Sequence, residues 1–232
     1  MKKIGMIGGF GPESTLDYYR LMMEQYRLLQ GEGSLPEIII YSMDIYALFN
    51  MVGKKQWDAV TQWLLEGINA LYRAGADFGF ISANTPHIVF NKLKSLSPIP
   101  LISIVEETSN KANEMRLERV GLLGTSFTMQ SSFFQEVFAN DNISIVVPQG
   151  QEQDYIQHKL MTEIELGQFH NETRHGLLSI VKRMVDEDLI QGLILGCTEL
   201  PLILTEDEFG IPFLNTTEIH VESVIRYCLT GN

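Results

Sequence analysis

The sequence predicts an α/β protein made of two similar halves, each a small parallel sheet flanked by helices. Two observations lead there. Short apolar runs alternate with longer segments of helical period, the pattern of strands joined by crossover helices. The strand ends also echo one another. Ile4-Gly5-Met6-Ile7-Gly8-Gly9 is answered by Val120-Gly121-Leu122-Leu123-Gly124-Thr125. Phe78-Gly79-Phe80-Ile81-Ser82-Ala83-Asn84-Thr85 is answered by Gln191-Gly192-Leu193-Ile194-Leu195-Gly196-Cys197-Thr198. The spacing agrees, 75 residues from Gly8 to Ala83 against 73 from Gly124 to Cys197. Two similar halves explain the match economically, with chance likeness of strand-loop-helix units as the alternative.

The first strand is expected over 3–7. Its opening Met-Lys-Lys resembles a signal n-region, but the apolar stretch is broken by Gly5, Gly8 and Gly9 and ends in Gly11-Pro12-Glu13. Further strands are expected over 37–42, 78–82, 101–103, 119–123, 144–147, 193–195 and 212–214, and their apolar character predicts burial on both faces. Helical period occupies 14–29, 56–74, 104–115, 130–138, 151–166, 171–187 and 218–229. The expected division is an N-terminal α/β domain over 1–103, onto which the last helix (218–232) packs back, and a C-terminal α/β domain over 104–217. In open α/β sheets ligands bind beyond the carboxyl ends of the strands, so a cleft between the halves is the expected site.

Composition narrows the function classes. The chain has 232 residues, 45% hydrophobic and 20% charged, enough to fold around its own core without disulfide or metal staples. A net charge of −12 argues against phosphate-backbone binding and hence against a nucleic-acid partner. No window supplies the roughly 18 uninterrupted apolar residues of a membrane span, so a soluble chain with no membrane association is expected. Cys197 and Cys228 lack a disulfide framework and are expected as free thiols in a reducing cytoplasm.

The candidate chemistry lies in the loops. Gly8-Gly9-Phe10-Gly11-Pro12 precedes a helix, so it forms either an anion-facing set of backbone amides or simply a tight turn. It lacks the spacing of a dinucleotide fingerprint and the lysine of a P-loop. Gly124-Thr125-Ser126 with Thr128 makes a similar donor-rich loop. Cys197 follows an apolar strand and has Thr198 and Glu199 beside it. It reads as a partly exposed thiol tuned towards the thiolate, with a buried core thiol as the alternative. Cys228, inside the last helical pattern, reads as packing. His87 and His220 stand at turn-like strand ends. Glu163 and Glu165 are either supporting carboxylates or a solvated face. No spacing matches a metal set, so no metal is expected.

Taken together, these stretches resemble the aspartate/glutamate racemase family, the cofactor-independent amino-acid racemases, over nearly the whole chain. The carriers are residues 4–15, Ala83-Asn84-Thr85-Pro86-His87, residues 122–129, Leu195-Gly196-Cys197-Thr198-Glu199-Leu200 and Asn215-Thr216-Thr217-Glu218-Ile219-His220. The resemblance implies two pseudo-symmetric domains with the active site in the cleft between them, frequently a homodimer, acting on aspartate or glutamate with no cofactor. In that family two cysteines face each other across the substrate Cα, one removing a proton as thiolate and the other delivering one to the opposite face. By resemblance Cys197 is one of them. Gly9, Phe10, Asn84, Thr85, Thr125, Ser126, Thr198 and Glu199 are then the expected substrate-binding set, with His87, His220 and Glu163 in support.

Two departures stand out. The family's first cysteine falls just before Asn84-Thr85, where this chain has Ala83, and a methyl group transfers no proton. Ser82 is no substitute, because alternation along a strand points it the other way. Residues 43–50 also lack the arginine that often clamps the side-chain carboxylate in aspartate racemases. Two alternatives therefore accompany the racemase reading. One is a single-cysteine decarboxylase of the arylmalonate decarboxylase type. The other is a carboxylate-binding protein that lacks turnover, either as a natural relative or as a variant in which the proton-transferring residue has been replaced by Ala83.

Overall fold

The computed structural model describes residues 1–31 and 33–231. Its contacts divide the chain into two units, Met1–Ile104 with Thr217–Asn232, and Val105–Thr216. In chain order the first elements are β1 (Ile4–Gly8), α1 (Pro12–Gln30), β2 (Ile38–Ser42), α2 (Ile45–Gly53), α3 (Trp57–Arg73), β3 (Phe78–Ile81), α4 (Phe90–Leu96), β4 (Leu101–Ile102) and α5 (Ile104–Glu114). The remainder are β5 (Arg119–Leu123), α6 (Ser126–Gln130), α7 (Phe133–Ala139), β6 (Ser144–Val146), α8 (Gly150–Thr162), α9 (Asn171–Asp186), β7 (Gly192–Leu195), β8 (Phe213–Asn215) and α10 (Thr216–Thr230). Each unit holds one parallel four-stranded sheet, in the order β2-β1-β3-β4 in the first and β6-β5-β7-β8 in the second. The orders match strand for strand, so the α/β class and the twofold repetition are properties of the fold.

In the first unit the period-two alternation of strand side chains sorts the core into two layers. Ile4, Met6, Phe78 and Phe80 pack with Tyr18 and Met22 of α1 and with Val224 and Ile225 of α10. Ile7 and Ile81 pack on the opposite face with Val60, Leu64 and Ile68 of α3. In the second unit Leu123, Leu193 and Leu195 pack with Ile156 and Leu160 of α8 and with Leu177 and Val181 of α9. The alternation carries one step past the strands. Ala83 joins the layer of Ile81, and Cys197 joins that of Leu195.

Several expected boundaries change. The helix expected over 130–138 starts at Phe133, and a separate short helix, Ser126–Gln130, precedes it and ends where Ser131 leaves helical geometry while its hydroxyl donates to the carbonyl of Phe127 at 2.6 Å. The segment 151–166 ends as a helix at Thr162 and continues as a 3-10 turn, Ile164–Leu166, closed by Gly167 with φ of 72°. The helices α2 and α4 are additions. The first is a run of nine mostly apolar residues, too short to tell from a buried strand by its pattern, and Asp44 caps it by accepting from the Tyr46 amide at 2.9 Å. The expectation of burial on both faces fails for the edge strands, since β2 and β6 carry exposed and half-buried side chains. Cys228 is buried in the core between sheet and α10.

The start of the loop after β7 has no room for another carbon. A Cβ on Gly196 would lie 2.7 Å from Leu122 Cδ1 and 2.8 Å from the Leu123 carbonyl oxygen. The backbone oxygen cannot yield without breaking the ladder, so Gly196→Ala is expected to lower stability by about 1–3 kcal/mol. A fall in the urea midpoint at unchanged slope would be the signature, and an unchanged midpoint would show that the ladder accommodates the methyl group.

Candidate active site

One hydrogen bond per unit carries the central parallel pair one residue beyond its strand. The Ser82 amide donates to the Ile7 carbonyl at 3.0 Å, and the Gly196 amide donates to the Leu123 carbonyl at 2.7 Å. Registered pairs Ile7–Ile81 and Leu123–Leu195 precede them. Ala83 and Cys197 are therefore equivalent positions, each the first residue after the ladder. Each is followed by a polar pair and a 3-10 turn, Thr85–Val89 in one unit and Leu200–Leu202 in the other.

Cys197 is buried, 8% exposed, against Leu195 and Leu200. Its thiol donates to Glu199 Oε2 at 3.0 Å, and the Thr198 hydroxyl donates to the same oxygen at 2.9 Å. Burial pushes the thiol well above its ordinary range, and the Glu199 carboxylate, with a smaller contribution from Glu165, pushes it further. This corrects the expectation of a partly exposed cysteine tuned towards the thiolate. Reactive thiolates sit in electropositive surroundings, whereas here the nearest charges are negative. Glu165 belongs to this group. Loss of solvent around its carboxyl and the charge on Glu199 raise it to about 7.

The loop after β5 lies alongside, since a Cβ on Gly124 would approach the Gly196 carbonyl oxygen to 3.2 Å. Thr125 caps α6, its Oγ1 accepting from the Thr128 amide at 3.3 Å and meeting the Thr128 hydroxyl at 3.1 Å. The Ser126 amide, expected as a free donor, instead donates to Gln157 Oε1 at 2.6 Å. Glu163 is engaged elsewhere. It accepts from Lys159 and Thr173, which hold its carboxyl below the ordinary range, and so joins α8 to α9.

In the first unit Gly9 has φ of 88°, and a Cβ there would come within 2.1 Å of the Met43 carbonyl oxygen. Its amide donates to Thr15 Oγ1 at 2.9 Å, so the tight-turn reading describes this amide. Phe10 is a core residue, buried against Trp63 with ring centroids 6.0 Å apart. Ser82 faces away from the Ala83 layer and donates its hydroxyl to the Ile7 carbonyl at 3.1 Å. Thr85 is half-buried at the start of its turn.

The polar groups around Ala83 are the distinctive part. Asn84 and His87 are each only 5% exposed, and neither side chain has a hydrogen-bond partner among protein atoms. Burial lowers His87 to about 4, against the opposing effect of the nearby Ala83 and Asn84 carbonyls, so the ring is neutral at physiological pH. His220, fully buried beside it, is lowered to about 3 by burial and then by His87. Its ring is satisfied, with Tyr18 Oη 3.0 Å from Nδ1 and the Ile102 carbonyl 3.1 Å from Nε2. An orphaned buried polar group costs about 1–3 kcal/mol, which sets the Asn84–His87 turn apart from the satisfied ring of His220. Tyr18 and Gln157 were absent from the expected site set, and only Tyr18 had a legible signal, four residues after Ser14 on the buried face of a helix.

Among the described residues no group of three or more His, Cys, Asp or Glu is placed to hold a metal ion, and no helix is long and apolar enough to cross a membrane.

Comparison with known proteins agrees with this architecture. The family model for Asp/Glu/Hydantoin racemase matches residues 7–224. A candidate Asp/Glu racemase from Yersinia pestis superposes with a TM-score of 0.91 at 27% identity, covering 99% of this chain and all of the other. An aspartate racemase homologue from Pyrococcus horikoshii gives 0.88 at 32% identity, over 98% of this chain and 99% of that one. In sequence, the broad specificity amino-acid racemase RacX of Bacillus subtilis is 23% identical over 96% of both chains. On its fold, its strand-end motifs and this match across almost its whole length, the chain belongs to the Asp/Glu/Hydantoin racemase family.

Proposed function

We propose that the protein is a cofactor-independent amino-acid racemase that exchanges the Cα proton of aspartate, glutamate or a related amino acid at Cys197. The observation that carries the reading is the buried thiol of Cys197, two residues past the end of β7 and hydrogen-bonded to Glu199 Oε2. A carboxylate at 3.0 Å can accept the thiol proton when the thiolate is needed. The resulting thiolate would remove the Cα proton and leave an enediolate, which hydroxyl and amide donors stabilise. In this reading Thr125 and Thr198, on the same unit as Cys197, are the donors for the α-carboxylate and that developing charge.

Burial and nearby carboxylates make Cys197 a poor acid at rest. A thiolate formed there is correspondingly basic, which suits abstraction from a weakly acidic Cα–H. The acidic substrate is carried by the family and by the relative described as an aspartate racemase homologue. The broad-specificity relative makes a wider panel the appropriate test. A cytoplasmic homodimer belongs to the same proposal, supported by the apolar surface that Ile40, Tyr41, Tyr46 and Phe49 leave exposed around β2 and α2.

Chiral chromatography after incubation with the L- and D-forms of the protein amino acids tests the reading. Inversion of at least one acidic amino acid is expected. Cys197→Ser should reduce it roughly 100-fold or more, and Ala83→Cys should raise it roughly ten-fold by supplying the missing acid. No inversion of any amino acid by either the native chain or Ala83→Cys would overturn the racemase reading. Carbon dioxide release from an arylmalonate in the same preparation would replace it with the decarboxylase.

The thiol's environment gives a second expectation. Because its pKa is raised, Cys197 is protonated through neutral pH, and peptide-mapped alkylation should become fast only above the ordinary thiol range. Glu199→Gln removes a negative charge and should move that onset to lower pH. An onset unchanged in Glu199→Gln would dissociate Glu199 from the thiol.

A further inference from the structure

The five histidines divide unevenly between the units. His158, His170 and His175 of the second unit are exposed, whereas His87 and His220 of the first are buried. His220 comes from α10 and meets three other elements of its own unit. Its Nε2 faces the Ile102 carbonyl of β4 at 3.1 Å, its Nδ1 faces Tyr18 Oη of α1 at 3.0 Å, and its ring meets Phe80 of β3 edge-on with centroids 5.1 Å apart. A ring nitrogen opposite a carbonyl has to carry the proton, so Nε2 donates and Nδ1 accepts from the tyrosine hydroxyl. One neutral tautomer satisfies both bonds.

A second proton has no place in that arrangement. It would enter at Nδ1, where Tyr18 would have to stop donating, and burial keeps the Tyr18 hydroxyl protonated. His87 is no better prepared for charge. Its ring stacks on Phe90 with centroids 4.7 Å apart and planes 12° apart, and neither nitrogen has a protein partner. The two rings also act on each other, whereas among the described residues no carboxylate compensates either one, and Asp17 of α1 acts on Tyr18 but on neither ring. With His87 lowered to about 4 and His220 to about 3, both by burial first, the folded values lie below the ordinary histidine value of about 6.5. The sign follows. Both rings stabilise the first unit in full above that value, and the contribution is lost as the pH falls from there towards 4.

We propose that α10 is an acid-released latch, held on the first unit by the bonds of His220 to Tyr18 and Ile102 while His220 and His87 are neutral, and freed as the two rings take up protons, with the second unit keeping its fold. The release is local because every group in the network belongs to the first unit. It reaches the rest of the helix because Val224, Ile225 and Cys228 share one buried layer with Tyr18 and Phe80, the same side chains that enclose the His220 ring. The inference is independent of the racemase reading, since it concerns no substrate. Each unit carries its own reporter, Cys228 in the α10 layer and Cys197 in the core of the second unit, both free and buried thiols.

The test labels the full chain with dithiodipyridine, a disulfide that reacts with thiols in mild acid, at about pH 7.5 and about pH 5. Labelled positions are mapped on peptides, and each rate is divided by that of the same thiol in guanidinium at the same pH. A ring that titrates near 6.5 only when released multiplies the open population by about 30 at pH 5. The normalised rate at Cys228 should therefore rise roughly 30-fold or more on acidification, while that at Cys197 changes by less than about three-fold. His220→Gln supplies a donor for Ile102 and an acceptor for Tyr18 without titrating, and His87→Phe keeps a ring on Phe90. Either substitution should cut the rise at Cys228 by about 30-fold, and the pair together should abolish it. His87→Phe leaves every bond of His220 in place, so it carries the test even where His220→Gln does not fold. No rise at Cys228, an equal rise at both thiols, or the full native rise in His87→Phe would each overturn the inference.

Discussion

The geometry of this protein depends on one backbone hydrogen bond repeated in each unit, from the residue after the third strand to the end of the first, Ser82 to Ile7 and Gly196 to Leu123. That bond extends a parallel ladder one step past the regular sheet. Alternation then decides what the next residue faces. In the second unit the next residue is Cys197, placed in the α8–α9 layer with Glu199 within reach. In the first unit it is Ala83, placed in the α3 layer at the mouth of a turn whose polar side chains find no partner in the chain. Gly196 belongs to the same constraint, since the bond closes only where no Cβ intrudes.

This arrangement divides the chemistry unequally between two geometrically equivalent positions. One carries a thiol whose burial and carboxylate neighbours make it strongly basic once ionised. The other carries a methyl group, with Asn84 and a neutral His87 close behind. The global charge of −12 opposes attraction of a dicarboxylate, so affinity has to come from local donors rather than from the field of the protein.

Most of the architecture was legible because parallel strands buried on both faces write themselves as short apolar runs, and because the two halves share spacing. The repeat was visible in Gly8 to Ala83 and Gly124 to Cys197 before the matching strand orders confirmed the twofold repetition. The helix α2 was not legible, since nine mostly apolar residues are too short a run to tell from a buried strand. The site was legible as residues and not as states. Cys197, Asn84 and Thr125 stand out in the sequence, but the protonation of the thiol is set by its burial first and then by Glu199 and Glu165. The loss of the Ser126 amide to Gln157 joins residues 31 apart on different helices, and no local pattern announces it. Phe10, expected to bind substrate, has its side chain in the core against Trp63, a placement that no local pattern in a glycine-rich loop announces.

The claim on which everything functional rests is that Cys197 exchanges the Cα proton. The most direct measurement is the rate of deuterium entry at Cα of L-aspartate and L-glutamate in heavy water, compared between the native chain and Cys197→Ser at equal concentrations of folded protein. The account predicts incorporation by the native chain and none above the uncatalysed background for the serine variant. Incorporation at the native rate by Cys197→Ser would contradict it.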